Sequence, residues 1–198
     1  MPTIDYAEKE INFKIVYYGP SFGGKTTNLK YIYEKISPKV RGKMITMKTE
    51  EDRTLFFDFL PIEFGEIKGF KTRFHLYTVP GQVFYNITRK LILRNVDGIV
   101  FVADSKKDRI ADNVESLNNL KENLADQGDS LEEIPWVLQL NKRDLEDAAP
   151  VEELLKVLRE GDVPYFESIA IEGKGVFETL KCIIKLVVKK AKEKEYGS

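Results

Sequence analysis

Residues 19–26 constrain the fold of this chain more than any other segment. They read Gly-Pro-Ser-Phe-Gly-Gly-Lys-Thr, the pattern G-x-x-x-x-G-K-[ST] of a phosphate-binding loop. In such a loop the glycines let backbone N–H groups point at phosphate oxygens, the lysine reaches the β- and γ-phosphates, and the final hydroxyl binds Mg²⁺. The predicted nucleotide-binding residues of this segment and of the next position are Gly19, Ser21, Phe22, Gly23, Gly24, Lys25, Thr26 and Thr27.

The flanking residues decide between a phosphate loop and a glycine-rich turn that matches the pattern by accident. Residues 11–18 are mostly apolar and rich in β-branched and aromatic side chains, which is typical of a buried strand. Apolar residues recur at helical spacing from Leu29 to Ile36, and Pro38 closes that pattern. A strand, a loop and a helix are therefore predicted in the order that a phosphate loop requires.

Strand and helix patterns alternate along the rest of the chain. This alternation predicts an α/β fold with a mostly parallel sheet, helices on both faces, and ligands at the carboxyl ends of the strands. The length predicts one domain over residues 1–198, with 189–198 as a frayed C-terminal tail. The predicted strands are 11–18, 70–79, 96–103, 134–141 and 163–169, and the predicted helices are 25–36, 83–94, 112–126, 150–159 and 175–193.

Two segments depart from the alternation. Residues 37–53 are polar and charged, which predicts a long loop, with or without a short strand, of the kind that is usually functional. Residues 55–60 are strongly apolar and residues 70–77 alternate in type, so the pair is predicted to form an antiparallel hairpin with its turn at 61–69.

Composition excludes several classes of protein. The 31 basic and 32 acidic residues nearly cancel, so no general nucleic-acid surface is expected, and one cysteine excludes an intramolecular disulfide framework. No apolar run approaches the 18 residues of a membrane span, and a cytoplasmic protein is predicted. The lysines of residues 189–194 leave two interpretations, a transient membrane-surface contact and a solvated helix end, and the interleaved glutamates favour the second.

A second motif, Asn141-Lys142-Arg143-Asp144, follows the predicted strand 134–141. The Asp144 carboxylate can accept hydrogen bonds from both N1–H and N2–H₂ of guanine, and adenine offers neither donor. The stem of Lys142 can lie over the base, and Asn141 can tie this loop to the phosphate loop. Alone, the motif also fits a solvated turn. Together with the phosphate loop it predicts GTP and GDP as ligands and argues against an ATP-using kinase.

With both motifs, the chain resembles the Ras-like small GTPases, and among them the bacterial GTPases of cell polarity and gliding motility. The resemblance covers essentially the whole chain and is most specific in residues 17–20, 51–61 and 69–85. It implies a Ras-like fold and a molecular switch that hydrolyses GTP to GDP and phosphate, slowly alone and faster with an activating partner. Residues 37–60 and 78–88 are expected to rearrange between the GDP and GTP states.

The resemblance also assigns roles to single residues. Thr54 corresponds to the switch-loop threonine that binds Mg²⁺ together with Thr26, and Gly81 to the glycine whose N–H contacts the γ-phosphate. Gln82 corresponds to the glutamine that orients the attacking water, so Gln82, Lys25 and Arg53 are the predicted catalytic residues. Arg53 corresponds to an arginine finger supplied in cis, although composition alone favours a solvated member of the charged run 50–53.

Three positions depart from the wider family. Ser168 and Ala170 align with the backbone segment that contacts the guanine carbonyl, but Ile171 stands where a lysine is usual. Thr78 replaces the aspartate that holds a Mg²⁺ water, so Mg²⁺ binding is expected to depend more on other groups. Ser21 replaces a glycine, and its Cβ is expected to crowd an arginine finger delivered in trans. Roles for Asp58 and His75 stay open, with Asp58 either near the switch or at a strand edge.

The implied partners are a roadblock-type homodimer that activates hydrolysis, a response-regulator-type exchange factor, and effectors of polarity, gliding or type IV pilus motility. Recruitment to the cell pole is part of the same expectation. The alternative is a nucleotide-locked scaffold with negligible hydrolysis. Thr78 motivates this alternative, whereas Gln82 and Arg53 argue against it.

Overall fold

The structure is a computed structural model that describes residues 2–47 and 57–196. Along the chain the strands are β1 (Thr3–Asp5), β2 (Glu10–Tyr18), β3 (Ile45–Thr46), β4 (Asp58–Ile67), β5 (Phe70–Thr78), β6 (Gly98–Asp104), β7 (Trp136–Asn141) and β8 (Tyr165–Glu167). The α-helices are α1 (Lys25–Lys35), α2 (Asn86–Leu93), α3 (Ile110–Ala125), α4 (Val151–Leu158) and α5 (Val176–Tyr196). Short 3₁₀ turns cover Pro38–Val40, Val83–Tyr85 and Lys107–Arg109.

All the described strands form one sheet with the order β3-β4-β5-β2-β6-β7-β8, and β1 pairs with β2 beside this path. Strands β5, β2, β6, β7 and β8 run parallel to one another, whereas β3, β4 and β1 pair antiparallel with their neighbours. The predicted α/β fold, mostly parallel with an antiparallel hairpin, is therefore confirmed. Strand β3 lies in the segment where the sequence allowed a short strand.

Helices cover both faces of this sheet because the central strands are apolar on both sides. In β2, Phe13, Ile15 and Tyr17 face a core that is closed by α1 and α5. Val16 and Tyr18 face the opposite core, which is closed by α2, α3 and α4. All five side chains are at most 1% exposed, so the strand that leads into the phosphate loop is fixed from both sides.

The hairpin forms, but its turn is shorter than the predicted turn at residues 61–69. Strand β4 continues to Ile67, and the chain reverses at Lys68 and Gly69, which both have positive φ. Proline is tolerated at position 61 because its backbone groups point away from β5, toward Gly42, whose N–H donates to the Pro61 carbonyl oxygen at 2.9 Å, so β5 loses no donor. The pairing shifts register between Glu63 and Glu66, where a bulge accommodates Gly65.

Other bounds differ by a few residues. The predicted helix 83–94 is a 3₁₀ turn followed by α2, and the predicted strand 163–169 shortens to β8. Helix α5 continues through Tyr196, across most of the segment predicted as a tail. None of the described helices has the length and apolar character needed to cross a membrane.

Candidate nucleotide-binding site

The phosphate loop follows β2 and ends where α1 begins, at Lys25. Gly19 and Gly24 have φ values of 141° and 106°, which disfavour residues with a side chain. A Cβ at Gly19 would also overlap the carbonyl oxygen of Val102, and a Cβ at Gly24 would overlap the side-chain amide of Asn141. Both glycines are therefore required by conformation and by space.

Lys25 is buried inside this loop with only 6% exposure. Its Nζ donates to the carbonyl oxygens of Gly19 (3.0 Å) and Pro20 (2.6 Å). Burial is the main cause that lowers the pKa of Lys25 to about 7, and the charge of Arg89 adds to it while Asp58 opposes it. A phosphate anion beside Nζ would restore the charged form, so the environment suits an anionic ligand.

The start of α1, which closes the loop, suits an anionic ligand. Within the described residues no side chain caps the first turn of α1, and no acidic residue lies there, so no side chain would compete with an anion for its backbone N–H groups. Ser21 and Thr27 are half-buried, and Phe22 is 85% exposed with a positive φ of 60°. The carbonyl oxygen of Ser21 accepts a hydrogen bond from Arg109 at 2.8 Å.

Asp58 lies beside Thr26, at the start of β4, and is 3% exposed. Its carboxylate accepts hydrogen bonds from three threonine hydroxyls: Thr26 at 2.6 Å, Thr46 at 2.9 Å and Thr78 at 2.9 Å. Thr78 also accepts the backbone N–H of Asp58 at 2.8 Å. The sequence left open whether Asp58 lies near the switch or at a strand edge, and the structure places its carboxylate beside Thr26, at the candidate site.

Asn141 connects the second motif to the phosphate loop. Its Nδ2 donates to the carbonyl oxygen of Gly23 at 2.9 Å. Its Oδ1 accepts the hydroxyl of Ser168 at 3.0 Å and the backbone N–H of Ala170 at 2.9 Å. One buried side chain therefore joins three loops that the sequence assigned to nucleotide binding.

Lys142 and Asp144 border the same region. Lys142 has a positive φ of 65°, and its Nζ pairs with the Asp104 carboxylate at 2.7 Å. Asp144 is exposed, so its carboxylate is available to a base. Ile171 is 79% exposed. Asp104 is a site residue that was not predicted, although a carboxylate that ends the apolar strand β6 was a usable signal.

The segment after β5 brings Gly81 against the phosphate loop. A Cβ on Gly81 would overlap the Cα of Ser21, so the two backbones are in direct contact. Gln82 follows, with an exposed side chain, and precedes the 3₁₀ turn that leads into α2. Arg53 and Thr54, predicted as the finger and as a Mg²⁺ ligand, lie outside the described residues.

His75 lies within β5, is half-buried and stacks on Phe59 with ring centroids 5.5 Å apart. Its Nε2 lies 2.9 Å from Oδ1 of Asn12, and burial is the main cause that lowers its pKa. These contacts are those of a packed sheet residue.

A phosphate loop after β2 and an N-K-x-D loop after β7, joined through Asn141 at the carboxyl ends of the two parallel strands that flank β6, define the class of guanine-nucleotide-binding P-loop proteins. The comparisons agree with this class. The family model of the ADP-ribosylation factor family matches residues 3–187. The chain belongs to this family of Ras-like GTPases.

The chain is also similar over most of its length to individual proteins of known name. The chain is 58% identical over 193 residues to the Mutual gliding-motility protein MglA of Myxococcus xanthus (strain DK1622), covering 98% of this chain and 99% of that protein. It is 27% identical over 190 residues to the Ras-related protein RABG3f of Arabidopsis thaliana and to the Ras-related protein Rab7 of Cenchrus ciliaris, covering 92% of this chain and 85% of each relative. The predicted resemblance to Ras-like GTPases, and to MglA among them, is confirmed.

Proposed function

We propose that this protein is a GTP-hydrolysing switch that controls cell polarity and gliding or type IV pilus motility. The motility role is supported by 58% identity to a relative named for gliding motility. The switch role is supported by one observation above the others: Gly81 lies against Ser21, so the segment after β5 adjoins the loop that would hold the γ-phosphate. A group that senses the γ-phosphate has to lie there.

The proposed reaction is the in-line attack of water on the γ-phosphorus. Lys25 and the backbone N–H groups of the loop bind the phosphates and stabilise the charge that develops in the transition state. Gln82 orients the water. Asp144, Lys142 and Ala170 bind the guanine base, and Asn141 keeps the two halves of the site in register.

The residues present also fit Mg²⁺, which when bound neutralises charge on the β- and γ-phosphate oxygens. A hydroxyl has one hydrogen and two lone pairs, so Thr26 can donate to Asp58 and still offer a lone pair to the ion. Thr54 would be the second protein ligand. We propose that Asp58 supplies the carboxylate that position 78 lacks, because Thr78 donates its own hydroxyl to Asp58.

Arg53 is proposed as an arginine finger supplied in cis. Ser21 supports this source, because its Cβ, where a glycine is usual, would crowd an arginine that a partner delivers beside the phosphate loop. A roadblock-type MglB homodimer is the proposed activating partner and would act by reorganising residues 37–60. A response-regulator-type exchange factor, motility effectors and recruitment from the cytoplasm to the cell pole complete the proposal.

Single-turnover hydrolysis of GTP, with and without the MglB homodimer, tests this function. The wild-type protein should hydrolyse GTP faster with the partner, and Arg53→Ala should lower the stimulated rate by about 10³–10⁵-fold, the usual contribution of an arginine finger. Arg94→Ala is the matched control, because Arg94 is exposed at the end of α2.

The outcomes separate the candidate functions. Negligible hydrolysis under both conditions would favour the nucleotide-locked scaffold, and an unchanged stimulated rate in Arg53→Ala would remove the finger from the mechanism. Displacement of labelled GTP by unlabelled ATP at similar concentrations would overturn the guanine assignment.

A further inference from the structure

Arg89 is the largest fully buried side chain among the described residues, with 0% exposure on α2. Burying a guanidinium is costly unless every donor finds a partner, because arginine stays charged in proteins. Within the described residues, 2–47 and 57–196, Arg89 forms no ion pair with a carboxylate. Its partners are neutral oxygen atoms, so its burial is not explained by a salt bridge and calls for another role.

Two of these oxygens belong to the segment before Gln82. Nε donates to the carbonyl oxygen of Pro80 at 2.8 Å, and Nη2 donates to the carbonyl oxygen of Gly81. The planar fork of arginine suits two acceptors in neighbouring positions, which the single ammonium group of lysine matches poorly. Arg89 therefore holds two consecutive peptide groups at once.

The other side of the guanidinium is fixed by the surrounding core. Nη1 donates to Oδ1 of Asn119 at 2.6 Å and approaches the hydroxyl of Tyr18 at 3.4 Å. The Tyr18 hydroxyl donates to Asn119 at 2.7 Å. The Nδ2 group of Asn123 donates to the Tyr18 hydroxyl and to the side-chain oxygens of Asn119 and Asn86. Arg89 is thus anchored to the end of β2 and to α3 as well as to the segment that it holds.

The hydrogen bonds of Arg89 to the two carbonyl groups also fix the directions of the next two backbone N–H groups. In a trans peptide the C=O and N–H groups point in opposite directions, and the structure contains no cis peptide bond among the described residues. Because the Pro80 carbonyl points at Arg89, the N–H of Gly81 points away from it. The N–H of Gln82 is turned in the same way by the Gly81 carbonyl.

We propose that Arg89 is a positioning residue that aims the Gly81 N–H at the γ-phosphate by holding the Pro80 and Gly81 carbonyls from behind. This inference rests on the proposed function, in which Gly81 contacts the γ-phosphate. The diphosphate lacks the group that this N–H would meet. The contribution of Arg89 should therefore concern GTP and its analogues and spare GDP.

Equilibrium binding of GDP and of a non-hydrolysable GTP analogue, measured for wild type and for Arg89→Lys, tests the proposal. Lysine keeps the charge but cannot hold both carbonyls. Affinity for the GTP analogue should fall about 10- to 100-fold, as expected for the loss of charge-assisted hydrogen bonds, while affinity for GDP stays within about threefold. Arg94→Lys controls for the same exchange at an exposed position of the same region and should change neither affinity.

Equal losses for both nucleotides in Arg89→Lys would assign Arg89 a structural role only and overturn the proposal, as would two unchanged affinities. If Arg89→Lys does not fold, Asn119→Ala serves instead, because it removes the acceptor of Nη1 and lets the guanidinium turn. It should produce a smaller loss with the same preference for the GTP analogue, and a loss without that preference contradicts the proposal. A wild-type protein that fails to hydrolyse GTP would refute the proposed function, whereas normal wild-type hydrolysis with no selective loss in the variants would refute the role of Arg89 alone.

Discussion

The base side and the γ-phosphate side of the site are built differently. On the base side, Asn141 binds directly to Gly23, Ser168 and Ala170, so the elements that would surround guanine are joined to one another. On the γ-phosphate side, Gly81 is held by Arg89 from behind and lies against Ser21 of the phosphate loop.

This difference suits the two tasks. A base has to be recognised in the same way in the GDP and GTP states, so preorganised loops with internal hydrogen bonds are an advantage. A group that reports the γ-phosphate must respond to its presence, so it has to be able to take two positions. The contrast predicts that substitutions on one side should leave the property of the other side unchanged.

The largest expected change in nucleotide affinity is on the base side. Asp144→Ala removes a charged acceptor for two guanine donors, each worth about 1.5–3 kcal/mol. Affinity for GTP should fall by about 10²–10⁴-fold, and its preference over ATP should largely disappear in a competition experiment. Hydrolysis of nucleotide that is already bound should proceed at a similar rate. A large loss in that single-turnover rate would show that the two sides are coupled.

A smaller effect is expected from Asp58→Asn, which tests the Mg²⁺ proposal. Losing a group that orients a metal ligand typically lowers metal affinity by about 10- to 100-fold. The measurement is the Mg²⁺ concentration that halves the rate of GDP release.

Thr78→Asp in the Asp58→Asn background returns one carboxylate to the same cluster and should recover part of the Mg²⁺ affinity. The preference for guanine should not change in either variant. Unaltered Mg²⁺ dependence in Asp58→Asn would exclude this carboxylate from the metal site.

The smallest effect concerns protons and should be independent of the base. The pKa of Lys25 is lowered to about 7, so above that pH the buried amine is mostly neutral, and phosphate binding should raise its pKa. Nucleotide binding at pH 8.5 should then take up close to one proton, and affinity should fall by up to about tenfold per pH unit above 7.

Calorimetry of GDP binding in two buffers of different ionisation enthalpy measures this uptake. At pH 8.5 the phosphate groups of the ligand are already ionised, since their second pKa is about 6. At pH 6 Lys25 is already protonated and should contribute no uptake. Equal heats in the two buffers at pH 8.5 would contradict the lowered pKa.

Features carried by contiguous residues could be predicted from the sequence. The strand, loop and helix around Lys25 and the Asn141-Lys142-Arg143-Asp144 motif are local, and the structure brings them together at one edge of the sheet. The hairpin turn was misplaced because Pro61 and Gly65 are usual turn residues. The strand continues through them because the backbone of Pro61 faces Gly42 and not β5, and because a bulge accommodates Gly65.

The site residues that the sequence left open or missed depend on contacts between distant segments. Asp58 reaches Thr26 across 32 positions, and Arg109 reaches Ser21 across 88. In sequence, Arg89 is a polar residue in an amphipathic helix, and nothing local indicates that it is buried. Its burial follows from acceptors on β2, α3 and the segment at Gly81, which come together only after folding.

The two overlaps that exclude side chains from Gly19 and Gly24 have a consequence for protein engineering. The groups in the way are the carbonyl oxygen of Val102 and the side-chain amide of Asn141, which belong to other strands. The octapeptide 19–26 is therefore not a portable cassette. Transplanted into another strand-to-helix junction, it would lose the Asn141 amide that donates to the carbonyl oxygen of Gly23, and the host would have to supply a donor in that place.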